Sequence, residues 1–114
     1  MARKASLSGF PEFLPEERLV ENHVLDTLRR TFELHGFSNI ETRSVETVEQ
    51  LLRKGEIDKE VYGISRLLEE TGARNEKEKL ALHFDLTVPF ARYVVENSGY
   101  LNFPLMRYQI QKAW

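Results

Sequence analysis

The stretch Leu80–Asn97, LALHFDLTVPFARYVVEN, decides how the chain is read. An alternating apolar segment runs straight into Asp85-Leu86-Thr87 and then into a helical pattern. Thr87 can cap that helix, and Pro89 falls in its first turn, where a missing N–H costs little. Ala91, Val94 and Val95 are predicted to face inward. Asp85 has two readings. An Asp between a strand and a helix can satisfy the free N–H groups at the helix start. Alternatively, a carboxylate at a strand end can face a cleft and receive a ligand's ammonium in a charge-assisted hydrogen bond, with the Thr87 hydroxyl at the same corner. Spacing alone leaves both open.

Upstream, SLSGFPEFLP reads as an extended lead-in whose Phe10 and Phe13 pack onto something larger. A helix is predicted from Pro15, with Glu16 and Glu17 at the positive end of its dipole. Val24 or Leu25, Leu28, Phe32 and His35 give it one apolar stripe, and Gly36 ends it as a residue suited to positive φ. FSNIETRSV is predicted as a strand, and ETVEQLLRKG as a short helix presenting Val48, Leu51 and Leu52 and stopped by Gly55. EVYGISRLL and KLALHFD read as two strands of a hairpin, with the charged EETGARNEKEK as its mobile tip. PLMRYQIQKAW alternates Met106, Tyr108 and Ile110 against Arg107, Gln109 and Gln111, the period of a half-buried strand. Mixed helices and antiparallel strands predict an α+β fold.

With 114 residues the chain fits one small domain with a single hydrophobic core. Sixteen basic and eighteen acidic side chains are interspersed to a net charge of −2, which is no footprint for nucleic acid or an anionic membrane. The absence of cysteine excludes disulfides, thiolate catalysis and cysteine-based metal sites. No apolar run approaches the roughly 20 residues of a membrane span, and no secretory signal is present, so a cytoplasmic protein is expected.

A search for self-contained chemistry finds little. His23 and His35 lie twelve residues apart on one helix, about 18 Å at the helical rise and too far to share an ion. His83 reads as a residue on a strand face. No metal-ligand spacing, phosphate loop or nucleophile elbow occurs, and no metal site is predicted.

LHFDLTVPFARYV, followed by FPLMRYQIQKAW, closely resembles the catalytic core of the histidyl-tRNA synthetases, a family of class II aminoacyl-tRNA synthetases. GFPEFLPEE resembles the family's lead-in, FELHGFSNIETRSVET its motif 1, and KEVYGIS the hairpin that follows. The resemblance runs from about Gly9 to Trp114. It implies that residues 1–114 are the amino-terminal part of one class II catalytic domain, from motif 1 through the first strand of motif 2.

The resemblance also implies roles. Asp85 and Thr87 would line the histidine pocket, the carboxylate meeting the substrate α-ammonium, with Leu86 contributing backbone and shape. Phe37, Ile40, Thr42, Arg43 and Val45 would lie at a homodimer interface. RYQIQKAW matches the motif 2 strand that in the family precedes an arginine gripping the α-phosphate of ATP, so no catalytic residue is expected in this piece and the piece alone is expected to be inactive. Histidine, ATP, magnesium and tRNA(His) would be the ligands of the parent enzyme. Two positions depart from the family: Arg43 stands where motif 1 usually has proline, and His83 where arginine is common. The competing reading is an inert paralogue, such as the regulatory subunit of ATP phosphoribosyltransferase.

Overall fold

The computed structural model describes residues 7–52, 61–67 and 79–114. The fold is α+β. It comprises two units, one built on the segment ending at Asn39 with Met106–Ile110, the other on Ile40–Leu105 with Gln111–Trp114.

In the first unit, helix α1 spans Pro15–Leu34. It starts where the sequence predicts: Pro15 opens it, and Glu17 Oε1 accepts from the Leu14 N–H at 3.2 Å, satisfying one of the free donors. It stops at Gly36, whose φ of +85° is left-handed and strained for any residue with a Cβ. Strand β1 (Ser38–Asn39) then pairs in parallel with β5 (Arg107–Tyr108). A parallel pair needs a long crossover, and here the whole of the second unit's principal segment intervenes.

Among the described residues of this unit, Tyr108 is the buried one. Phe32 stacks on it with centroids 5.2 Å apart, and Phe37 meets Phe32 edge-on at 6.1 Å. The Tyr108 hydroxyl donates to Glu33 Oε1 at 2.7 Å. That bond to a carboxylate, and then burial, push the phenol pKa up from its ordinary value.

The stripe predicted for α1 is only partly used. No α1 residue is buried, and Leu19, Val20, Val24 and Leu28 are all exposed. Phe13, Val20, Val24 and Leu25 line an open groove of about 490 Å³ along the helix.

The second unit holds β2 (Val45–Thr47), α2 (Val48–Leu52), β3 (Gly63–Ile64), β4 (Leu80–Leu82) and α3 (Thr87–Asn97). Strand β4 lies between β2 and β3 and is antiparallel to both, which realises the predicted hairpin. FSNIETRSV does not form one strand. It divides into β1 and the start of β2, with residues 40–44 irregular between them. The expected mobile hairpin tip and the Gly55 stop lie outside the described residues.

The core joins Leu51 of α2, Ala81 of β4 and Val88 of α3, flanked by Val48, Val61 and Phe84. The predicted inward face of α3 is corrected. Val88 and Pro89 are buried, Val94 is half-buried, and Ala91 and Val95 are exposed. The first turn of α3 packs on the core, and the helix then continues with its later aliphatic residues outside that contact. The final alternation holds at Tyr108 but not at Met106, which is exposed.

The candidate ligand corner at the β4–α3 junction

Strand β4 ends at Leu82, and four residues separate it from the start of α3 at Thr87. Asp85 sits in that connection and is half-buried. Its Oδ1 accepts from the Val88 N–H at 3.4 Å. That distance is beyond the usual 2.7–3.2 Å range for such bonds, so the capping contact is weak. No other hydrogen bond engages the Asp85 carboxylate among the described residues.

Leu86 occupies the position before the first helical residue, and its carbonyl accepts from the Phe90 N–H at 3.1 Å. It is half-buried. Thr87 is the first helical residue, not a cap, and no side-chain cap bond is formed there. The reason is positional: a cap must precede the first helical residue, and Asp85, one position farther back than Leu86, takes the i+3 contact instead. The exposed Thr87 hydroxyl makes no hydrogen bond among the described residues.

Two structures brace this corner. The first is His83, which is completely buried. Its Nε2 faces the Lys112 carbonyl oxygen at 2.5 Å. A carbonyl only accepts, so that nitrogen carries the proton. The ring stacks on Trp114 with centroids 5.6 Å apart, and the Trp114 N–H donates to the His83 carbonyl at 3.1 Å. His83 therefore fastens the Gln111–Trp114 segment to the end of β4. Nδ1 of the same ring is buried without a partner. Beside it, Gln111 bonds through both amide ends to the Thr42 backbone.

The second brace was not anticipated from sequence. Glu46, on β2, is 1% exposed. Its Oε1 accepts from Arg92 Nε at 2.7 Å, and its Oε2 from an Arg43 guanidinium nitrogen at 3.3 Å. Arg92 lies on α3 and also reaches Glu96 at 2.7 Å. Glu46 pairs with Ala81 across the β2–β4 ladder, so both side chains stand on one face of the sheet, the face that carries α3. The available signal was the spacing Val88–Arg92, four residues apart, which puts Arg92 on the buried side of α3.

The residues expected at a dimer interface are distributed unevenly. Phe37 and Ile40 are half-buried, as is Val45. Thr42 is buried and bonded within the chain to Gln111. Arg43 is the exposed member, with its guanidinium directed to Glu46.

His23 and His35 are exposed on and just beyond α1, and His35 Nδ1 bonds the Thr31 carbonyl at 2.8 Å. Among the described residues no three His, Asp or Glu side chains converge as metal ligands. No described helix is long and apolar enough to cross a membrane.

No family model matches the chain. Among curated proteins, the histidine–tRNA ligase of Micrococcus luteus is 70% identical over the whole chain, which covers 27% of that protein. Among solved structures, the histidyl-tRNA synthetase of a Nostoc species superposes with a TM-score of 0.81 at 43% identity, over 96% of this chain and 24% of that one. An ATP phosphoribosyltransferase regulatory subunit/histidyl-tRNA synthetase from Bacillus halodurans superposes with a TM-score of 0.68 at 22% identity, over 92% of this chain and 26% of that one. This last likeness is one of fold alone. The chain spans about a quarter of the length of the curated relatives it matches. In sequence and in fold, the chain belongs to the histidyl-tRNA synthetase family.

Proposed function

We propose that the chain is the histidine-binding part of a longer histidine–tRNA ligase. In that reaction the histidine carboxylate attacks the α-phosphorus of ATP, pyrophosphate leaves, and histidyl-adenylate forms. The terminal ribose hydroxyl of tRNA(His) then takes the histidyl group and AMP is released. The observation that carries this reading is the β4–α3 corner. Asp85 makes only one long bond to its own backbone, and the adjacent Thr87 hydroxyl is unengaged among the described residues. A carboxylate in that state accepts an α-ammonium through charge-assisted hydrogen bonds, and Thr87 adds a hydroxyl from the same side.

Adenylate formation builds negative charge on the α-phosphate, which needs preorganised cations. ATP and magnesium are assigned to the complete protein. We assign the complete protein to the cytoplasm and to a homodimer with two-fold symmetry, the commonest arrangement for a soluble oligomer. The exposed apolar residues of α1 support such a partner.

The test is ATP–pyrophosphate exchange by the full-length protein. Exchange that depends on histidine, and on no other amino acid, is the expected result. Exchange without histidine dependence would remove the reading. The 114-residue chain alone should give none. Sedimentation should report a dimer of the full-length protein, and a monomer at high concentration would count against the assembly.

A further inference from the structure

We infer that Glu46 and Arg92 are positioning residues for the histidine corner: their buried ion pair fixes the rotation of α3 and thereby the direction in which Asp85 and Thr87 point. The inference rests on the histidine-binding reading above. Helix α3 is held to the sheet in two ways. Val88 and Pro89 pack in its first turn, an apolar contact that tolerates sliding and rotation. Arg92, one turn later, carries the directional contact, a 2.7 Å bond from Nε to Glu46 Oε1. A guanidinium bond loses strength steeply when its angle changes, so it resists the rotation that apolar packing permits.

The location of the pair links it to the corner. Glu46 lies opposite Ala81 in the β2–β4 ladder, and β4 leads into Asp85. The pair therefore ties the helix that begins at Thr87 to the strand that ends just before Asp85. Glu46 is 1% exposed, and the Arg92 side chain is 11% exposed. Arg43 holds the second Glu46 oxygen from the solvent side at 3.3 Å. A buried pair of this kind is often replaceable by apolar residues without loss of stability, so stability alone does not account for it.

The experiment uses the full-length protein and measures the KM for histidine and for ATP in pyrophosphate exchange. The double variant Glu46→Leu/Arg92→Met removes both charges without leaving either one buried and unpaired. It should keep its circular dichroism and raise the histidine KM roughly tenfold to a hundredfold, the scale of a site misplaced by about 1 Å. The ATP KM should change much less. Arg92→Lys keeps the charge but loses the planar fork, and should give a smaller rise in the same direction. It serves as the deciding variant if the double variant does not fold. An unchanged histidine KM in the folded variants overturns the inference.

Asp85→Ala is measured in parallel. If it raises the histidine KM while loss of the pair does not, the positioning role fails and the histidine corner stands. If Asp85→Ala has no effect either, both fail.

Discussion

Replacing Asp85 separates the two roles open to it. Asp85→Asn keeps the size of the side chain and an oxygen able to accept from Val88, but removes the charge. Asp85→Ala removes both. The capping bond is 3.4 Å long, so its loss should cost only about 0.5 kcal/mol, the low end for a helix cap. A charge-assisted bond to a histidine ammonium is worth about 1.5–3 kcal/mol. At about 1.4 kcal/mol per decade, that is a loss of roughly 10- to 150-fold in histidine affinity. Both variants should show the affinity loss, by calorimetric titration of histidine into the full-length protein. Both should retain nearly the parent's unfolding midpoint in urea. If affinity is unchanged while Asp85→Ala loses about 1 kcal/mol or more of stability, Asp85 is a cap and the ligand role is wrong.

Leu51→Ala removes the largest side chain of a small core, flanked by half-buried residues that can relax toward the gap. Urea unfolding should show a loss of about 2–4 kcal/mol, and a loss under about 1 kcal/mol would contradict the packing described. Alkaline titration tests Tyr108. Because its phenol pKa is raised by Glu33 and by burial, the neutral form is favoured in the folded chain. The resulting stability is complete below the ordinary tyrosine value of about 10 and is lost as pH rises through the higher folded value. Phenolate absorbance should show one tyrosine titrating late, and that late step should vanish in Tyr108→Phe. Paired substitutions Val20→Lys and Val24→Lys on the exposed side of α1 should weaken dimerisation of the full-length protein, and an unchanged sedimentation profile would exclude that face.

The parts of the fold legible in the sequence are those set by local chemistry. Pro15 and Gly36 bracket α1 because one fits the first helical turn and the other tolerates positive φ. The β3–β4 hairpin and the helix after Asp85 follow from equally local signals. What escaped was set by distant partners. Strand β2 has only three residues, too few to establish which face is buried, so Glu46 between Val45 and Thr47 gave no sign of its burial. Its partner Arg92 lies 46 residues away. The later aliphatic residues of α3, Ala91, Val94 and Val95, suggest one inward side, whereas the core contact selects Val88 and Pro89. At the corner, Asp85 makes the long contact to the Val88 N–H, while its neighbour Thr87 is helical and not the cap its position in the sequence suggests.

The stacking of His83 on Trp114 has an experimental consequence. The sequence contains a single tryptophan, and it rests against a buried imidazole at the very edge that joins the terminal segment to β4. Indole emission from this chain is therefore a one-site signal. A red shift in its emission would mark release of Gln111–Trp114 from the sheet, so undocking of that edge can be timed with no added label.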